Sequence, residues 1–200
     1  MRIRPILLLS TACAVLLGVA TLCPDGHVTS AVPLYDITPT VECFLPFTIR
    51  QSPPPCTLNE QEEQLAALMI DDPGQKRASL TCHPILAQVA RERALDMVER
   101  NYFSHTNPDG YGPNYLVRQA GYVLPSYYDT APDANNIESL AAGYPTASAA
   151  WNNWTNSADH RRHLLGETTF FAEQIEYGIG YACGGQYGHY WVVITAKPGH

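Results

Sequence analysis

The sequence predicts an α+β or three-layer domain, and three observations carry that prediction. Apolar residues make up 46% of 200 positions, which suits one globular domain with a core. Amphipathic, helix-like stretches fill the part of the chain that follows an N-terminal apolar run and a proline-rich segment. Two runs rich in β-branched and aromatic residues, IEYGIGYAC at 175–183 and YGHYWVVITA at 187–196, then flank Gly184 and Gly185 as a β-hairpin. Helices in front with strands behind give the class.

The chain opens with two arginines and an uncharged apolar run to Leu22, which is the layout of an export signal. Small residues fit cleavage after Ala20 and after Ala31; an uncleaved N-terminal anchor is the alternative. Residues 1–31 are therefore expected to be a signal peptide or anchor, and the rest to be secreted or extracytoplasmic. A membrane is a partner only if the segment stays uncleaved. Residues 32–57, with Pro33, Pro39, Pro46 and the run Pro53 to Pro55, read as an extended linker. The domain proper is expected over 58–200.

Within it, Leu58 to about Ile70 carries Leu65, Leu68 and Met69 with early acidic residues, as a helix prefers, and Asp71 to Gly74 stop it. Pro84 to about Arg100 follows, with proline in the favoured first position and Ile85, Leu86, Val89, Ala90, Ala94, Met97 and Val98 as one apolar stripe. Arg91 and Arg93 are expected mostly off that stripe. A loop follows at NYFSHTNPDGYGP, then a shorter helix around Asn114 to Ala120 ended by Gly121. NNIESLAAGY reads as a short extended piece, and Thr146 through Trp154 as another helix. Trp151 and Trp154, three apart, are expected in the core.

Charge excludes one class of partner. The formal net charge is −7, with two lysines, Lys76 and Lys197, so nucleic acid is not an expected ligand. Familiar catalytic signatures are missing too: the sequence holds no G-x-S-x-G, no H-E-x-x-H and no glycine-rich phosphate loop. What remains is a set of imidazoles and carboxylates beside aromatic residues: His105, Glu138, and His160 with Asp159 and His163. Two histidines and one carboxylate with an open fourth position would suit zinc. The structural alternative is that His105 bonds turn backbone, and that Ser157 caps a short helix with His160 exposed. His83 and His189 attract no role.

If Cys13 and Cys23 leave with the signal, Cys43, Cys56, Cys82 and Cys183 remain, a pairable number for an exported domain. Of the three connectivities, the favoured one joins Cys43 with Cys56 and Cys82 with Cys183. No C-x-x-C or zinc-ribbon spacing occurs.

FSHTNPDG at 103–110, ESLAAGY at 138–144, Trp154, Ser157, His160 and Arg161 followed by two leucines, and GIGYA at 178–182 stand in the order and spacing of the CAP superfamily. That superfamily groups cysteine-rich secretory proteins, antigen 5 and pathogenesis-related 1 proteins. The chain resembles its bacterial-type SCP domains over about residues 58–197. The resemblance implies an α-β-α sandwich with a central antiparallel sheet, and a cavity of two histidines and two acidic residues that can bind a divalent metal, often zinc. By motif position it implies His105, Glu138 and His160 as metal ligands and His163 as a bystander. Ser157 replaces the second glutamate of many eukaryotic members, and a hydroxyl is a weaker ligand than a carboxylate, so any zinc is expected to be weakly bound. Ser139 stands where an asparagine is commoner.

Fold does not fix function. The leading expectation is a secreted, non-enzymatic protein that binds an extracellular small-molecule, lipid or protein ligand. A metal-assisted hydrolase acting on peptide or cell-wall material is the alternative, with Glu138 as ligand or base. An adhesive or assembly module is a third.

Overall fold

Helix α1 (Glu60–Ile70) starts two residues later than the sequence pattern suggests, because Asn59 is its cap. The Asn59 side chain accepts from the Glu62 amide at 2.9 Å, and the Glu62 carboxylate accepts from the Asn59 amide at 2.9 Å. This reciprocal box satisfies two amides that the first helical turn leaves open. Leu65 and Met69, one turn apart, are fully buried. The structure, a computed structural model, describes residues 55–199. The expected signal segment and most of the expected linker lie outside those residues.

After α1 come strand β1 (Thr81–Cys82) and helix α2 (Pro84–Glu99). His83 caps α2, its ring accepting from the Ile85 amide. Helix α3 (Pro113–Gln119) ends before Gly121, whose φ of 92° lies in the left-handed region. Strand β2 (Glu138–Ala142) follows a long loop. Helix α4 (Ala147–Asn156) runs to Ser157, where the chain turns into α5 (Ala158–Leu164). A short α6 (Thr169–Ala172) precedes β3 (Glu176–Gly184) and β4 (Gly188–Ala196).

The sheet order is β1-β3-β4-β2. Strands β3, β4 and β2 are antiparallel, as expected, and the two-residue β1 adds a parallel edge on β3. Side chains alternate across β4: Val192 and Ile194 join Leu86, Val89, Ala90 and Met97 of α2, while Trp191 and Val193 join Leu65, Met69, Trp151, Trp154 and Leu164. Helices thus cover both faces, giving three layers. Trp151 and Trp154 are core residues, and the Trp154 indole also donates to the Leu140 carbonyl of edge strand β2 at 2.9 Å.

The favoured disulfide pairing is corrected. Cys56 bonds Cys82, with Cα atoms 5.8 Å apart, so neither Cys43 with Cys56 nor Cys82 with Cys183 forms. The register explains this. Cys82 lies beside Tyr177, and Cys183 sits six residues farther along β3, roughly 20 Å away at strand rise. The chain before α1 returns to the β1 edge, where the Arg91 guanidinium reaches the Thr57 carbonyl. Cys183 is also oxidised.

Candidate functional site

Four segments meet at the free edge of β2. The innermost group is Arg93, which α2 places on its buried side, with only 2% of its side chain exposed. Its Nε donates to Glu138 Oε1 at 3.0 Å, its Nη1 to the Tyr102 hydroxyl at 2.7 Å, and its Nη2 to the carbonyls of Ser104 and His105 at 2.8 and 2.9 Å. Burial disfavours the guanidinium charge, but the Glu138 carboxylate, with smaller help from Tyr102 and Asp96, offsets this, so the Arg93 pKa is raised. One residue therefore fixes both Glu138 and the loop that carries His105. The sequence reading missed it. The available signal was a charged residue four positions after Val89 and four before Met97, squarely on the apolar stripe.

Glu138 opens β2, and its backbone is held by Asn135, whose Oδ1 accepts from the Glu138 amide at 2.9 Å. Its second oxygen, Oε2, receives His105 Nδ1 at 2.8 Å. The Asn135 amide nitrogen also lies 3.0 Å from Nδ1, but the closer, charged carboxylate favours the proton on Nδ1, which fixes the ring and leaves Nε2 as the free nitrogen. On the opposite wall, His160 of α5 meets the Ser157 hydroxyl through Nδ1 at 2.9 Å. Ser157 occupies the N-cap position of α5 but makes no side-chain cap; its hydroxyl serves His160 instead. Among the described residues neither His105 Nε2 nor His160 Nε2 has a hydrogen-bond partner.

His163, expected to be a bystander, lies in the wall beneath. It is buried, with Ser139 Oγ 2.7 Å from Nδ1 and Thr195 Oγ1 2.7 Å from Nε2. Burial first, then the charge of Arg77 and the neighbouring imidazoles, pushes its pKa down to about 3, so it is neutral in ordinary buffers. Burial and then His105 lower the His160 pKa as well, against a smaller opposite pull from Asp159. Arg77 holds α5 in place, donating to the carbonyls of His163 and Leu164 at 2.7 Å each and to that of Phe171 at 3.0 Å. Its own pKa falls to about 10 through desolvation.

His105, Glu138 and His160, the three residues expected from sequence, line one cavity of about 180 Å³ together with Asn135, Ser139 and His163. A wider groove of about 670 Å³, lined from α2 by Glu92, Asp96 and Glu99, contains no histidine. Among the described residues no group of three or more His, Cys, Asp or Glu is arranged to hold a metal ion. Both oxygens of Glu138 are engaged, one by Arg93 and one by His105. Of the imidazole nitrogens that line the cavity, His105 Nε2 and His160 Nε2 are the two without a hydrogen-bond partner, and Glu138 orients His105 from behind.

The model of the cysteine-rich secretory protein (CAP) family matches residues 73–195, more than half of the chain. The chain is 31% identical over 80 residues to the uncharacterized protein YkwD of Bacillus subtilis (strain 168); that stretch covers 40% of this chain and 28% of YkwD, so the match spans under a third of the relative's length. Among solved structures, an extracellular protein containing an SCP domain from Bacillus anthracis str. Ames is 25% identical, with a TM-score of 0.49 over 68% of this chain and 40% of that one. An outer surface protein from Borrelia burgdorferi is 21% identical, with a TM-score of 0.47 over 70% of this chain and 88% of that one. With the family match covering the cavity and both faces of the sheet, the chain belongs to the CAP family of cysteine-rich secretory proteins.

Proposed function

We propose that this chain is an extracytoplasmic, non-enzymatic binding protein whose cavity takes a divalent cation, with zinc the best chemical match, on His105 and His160. Coordination positions left open on the cation would receive an oxygen or nitrogen atom of an extracellular ligand. One observation carries the reading: two imidazoles from separate segments line one small cavity, each locked at Nδ1 and each with Nε2 free. The lowered His160 pKa favours the neutral ring that a metal requires. The export-signal layout supports the location, as does membership of a family named for secretory proteins.

The carboxylates argue for binding over hydrolysis. A metal-assisted hydrolase needs a base within reach of the attacking water. Glu138 has both oxygens engaged, and the Asp159 side chain is 89% exposed and paired with Arg162 at 2.9 Å. Neither is placed as that base.

The test is a calorimetric zinc titration of the chain beside His105→Ala and His160→Ala. Saturable one-to-one binding lost in both variants is expected. No saturable binding by the wild type, or binding unchanged in both variants, overturns the reading.

A further inference from the structure

Cys183 is disulfide-bonded, yet Cys56 and Cys82, the other two cysteines of the described residues, bind each other. Within one chain its partner is therefore Cys13, Cys23 or Cys43. The strands say where that partner must come. β1 pairs Cys82 with Tyr177, and Cys183 lies farther along β3, roughly 20 Å away at strand rise. Side chains alternate along β3: Ala182 joins the α2 layer, while Ile179 and Tyr181 join the layer of α1, so Cys183 faces α1, on the side where Cys82 also packs. The half-cystines Cys82 and Cys183 thus mark two ends of one face of the sheet.

Cys43 fits that frame best. With Cys56 held at Cys82, Cys43 is 13 residues from a fixed point and Cys23 is 33. Loop closure alone favours the shorter connection by about fourfold. Thirteen residues of proline-rich chain reach about 40 Å at about 3.1 Å per residue, twice the span required. The export-signal layout points the same way: Cys13 lies inside the apolar run, and cleavage after Ala31 removes Cys23 with it. We infer that Cys43 is bonded to Cys183, which makes residues 44–55 a strap closed at both ends on the α1 side of the sheet rather than a free linker. This goes beyond the cation-binding reading and does not depend on it. The bond forms by exchange with an external disulfide R–S–S–R: the Cys43 and Cys183 thiols give up two electrons and two protons, their sulfurs join, and the donor leaves as two R–SH. An oxidising extracytoplasmic compartment supplies such a donor. The domain then starts at Cys43, and only residues before it can serve as a tether.

The test maps the full chain with all six cysteines present, folded with oxidised glutathione as the disulfide donor, then alkylated and digested without reduction. Trypsin with a glutamate-specific protease separates the candidates, because cleavage after Glu42 and Arg50 parts Cys43 from Cys13 and Cys23. Peptide 43–50 is expected to be linked to peptide 177–200, with Cys13 and Cys23 alkylated. Cys183 found alkylated, linked to peptide 3–42, or linked to a second copy of itself overturns the inference. The same digest checks the ground it stands on: peptide 51–60 must be linked to peptide 78–91, as Cys56 to Cys82 requires. Absence of that link breaks the elimination and overturns the inference as well. No substitution is needed, so a variant that fails to fold cannot blur the result.

Discussion

Arg93 Nε lies 3.0 Å from Glu138 Oε1, and neither side chain is more than 2% exposed. The pair ties α2 to the first residue of the edge strand and, through the Ser104 and His105 carbonyls, to the loop in between. Removing one partner of such a pair leaves an uncompensated buried charge. Glu138→Ala is expected to destabilise the fold by about 3–5 kcal/mol, measured by chemical denaturation. It also frees His105 Nδ1, so any metal affinity should fall in the same variant. A stability loss under about 1 kcal/mol would show that water replaces the carboxylate and that the pair is no anchor.

Buried His163 makes stability depend on pH. Its folded pKa of about 3 is below the ordinary histidine value of 6.5, so the unfolded chain binds a proton that the folded chain refuses. The associated stability is complete above about 6.5 and is lost as pH falls toward 3, at about 1.4 kcal/mol per unit. His163→Gln should flatten that part of the profile relative to wild type, whatever its effect at neutral pH. Parallel wild-type and variant profiles between these limits would refute the assignment.

Much of the fold was legible from periodicity. The stripe of α2, the tryptophans of α4 and the closing hairpin all appear where spacing placed them, because each buries one face against a neighbouring layer. The cap of α1 was missed, since Asn59 and Glu62 look like ordinary helix surface until they are seen to satisfy each other's amides. Within the cavity, motif order was enough to gather His105, Glu138 and His160. What each does was not legible: whether Glu138 faces a metal or an arginine depends on the rotation of α2, which sequence spacing does not encode. His163 was undervalued for the same reason. Its partners Ser139 and Thr195 come from two different strands and meet it only in the assembled sheet.

The Cys56 to Cys82 bond closes a segment of sequence separation 26 that contains the whole of α1. In the chain-entropy account a loop of this length is worth about 3 kcal/mol. The double variant Cys56→Ser with Cys82→Ser should lose roughly that much stability, read from denaturant midpoints. Peptide mapping without reduction should recover Cys56 linked to Cys82 and find Cys183 linked to neither. A Cys82 to Cys183 peptide would contradict the register of β1 on β3.

The GIGYA run lies directly against the backbone of α2. A Cβ on Gly178 would stand 2.1 Å from the backbone of Leu86, and one on Gly180 would stand 2.2 Å from that of Ala90. Both clashes are with α2 backbone, which cannot rotate away as a side chain can, so the helix itself must move off the sheet. Overpacking of this kind costs about 1–3 kcal/mol and sometimes more. Gly178→Ala and Gly180→Ala should each lower the thermal transition, and the displacement should carry Arg93, three residues beyond Ala90, out of line with Glu138. The expected signature is therefore paired: lower stability together with weaker cation binding in variants at residues that do not line the cavity. A Gly180→Ala protein that melts lower yet binds zinc as the wild type does would show that the cavity is set by its own loops and not by the seating of α2.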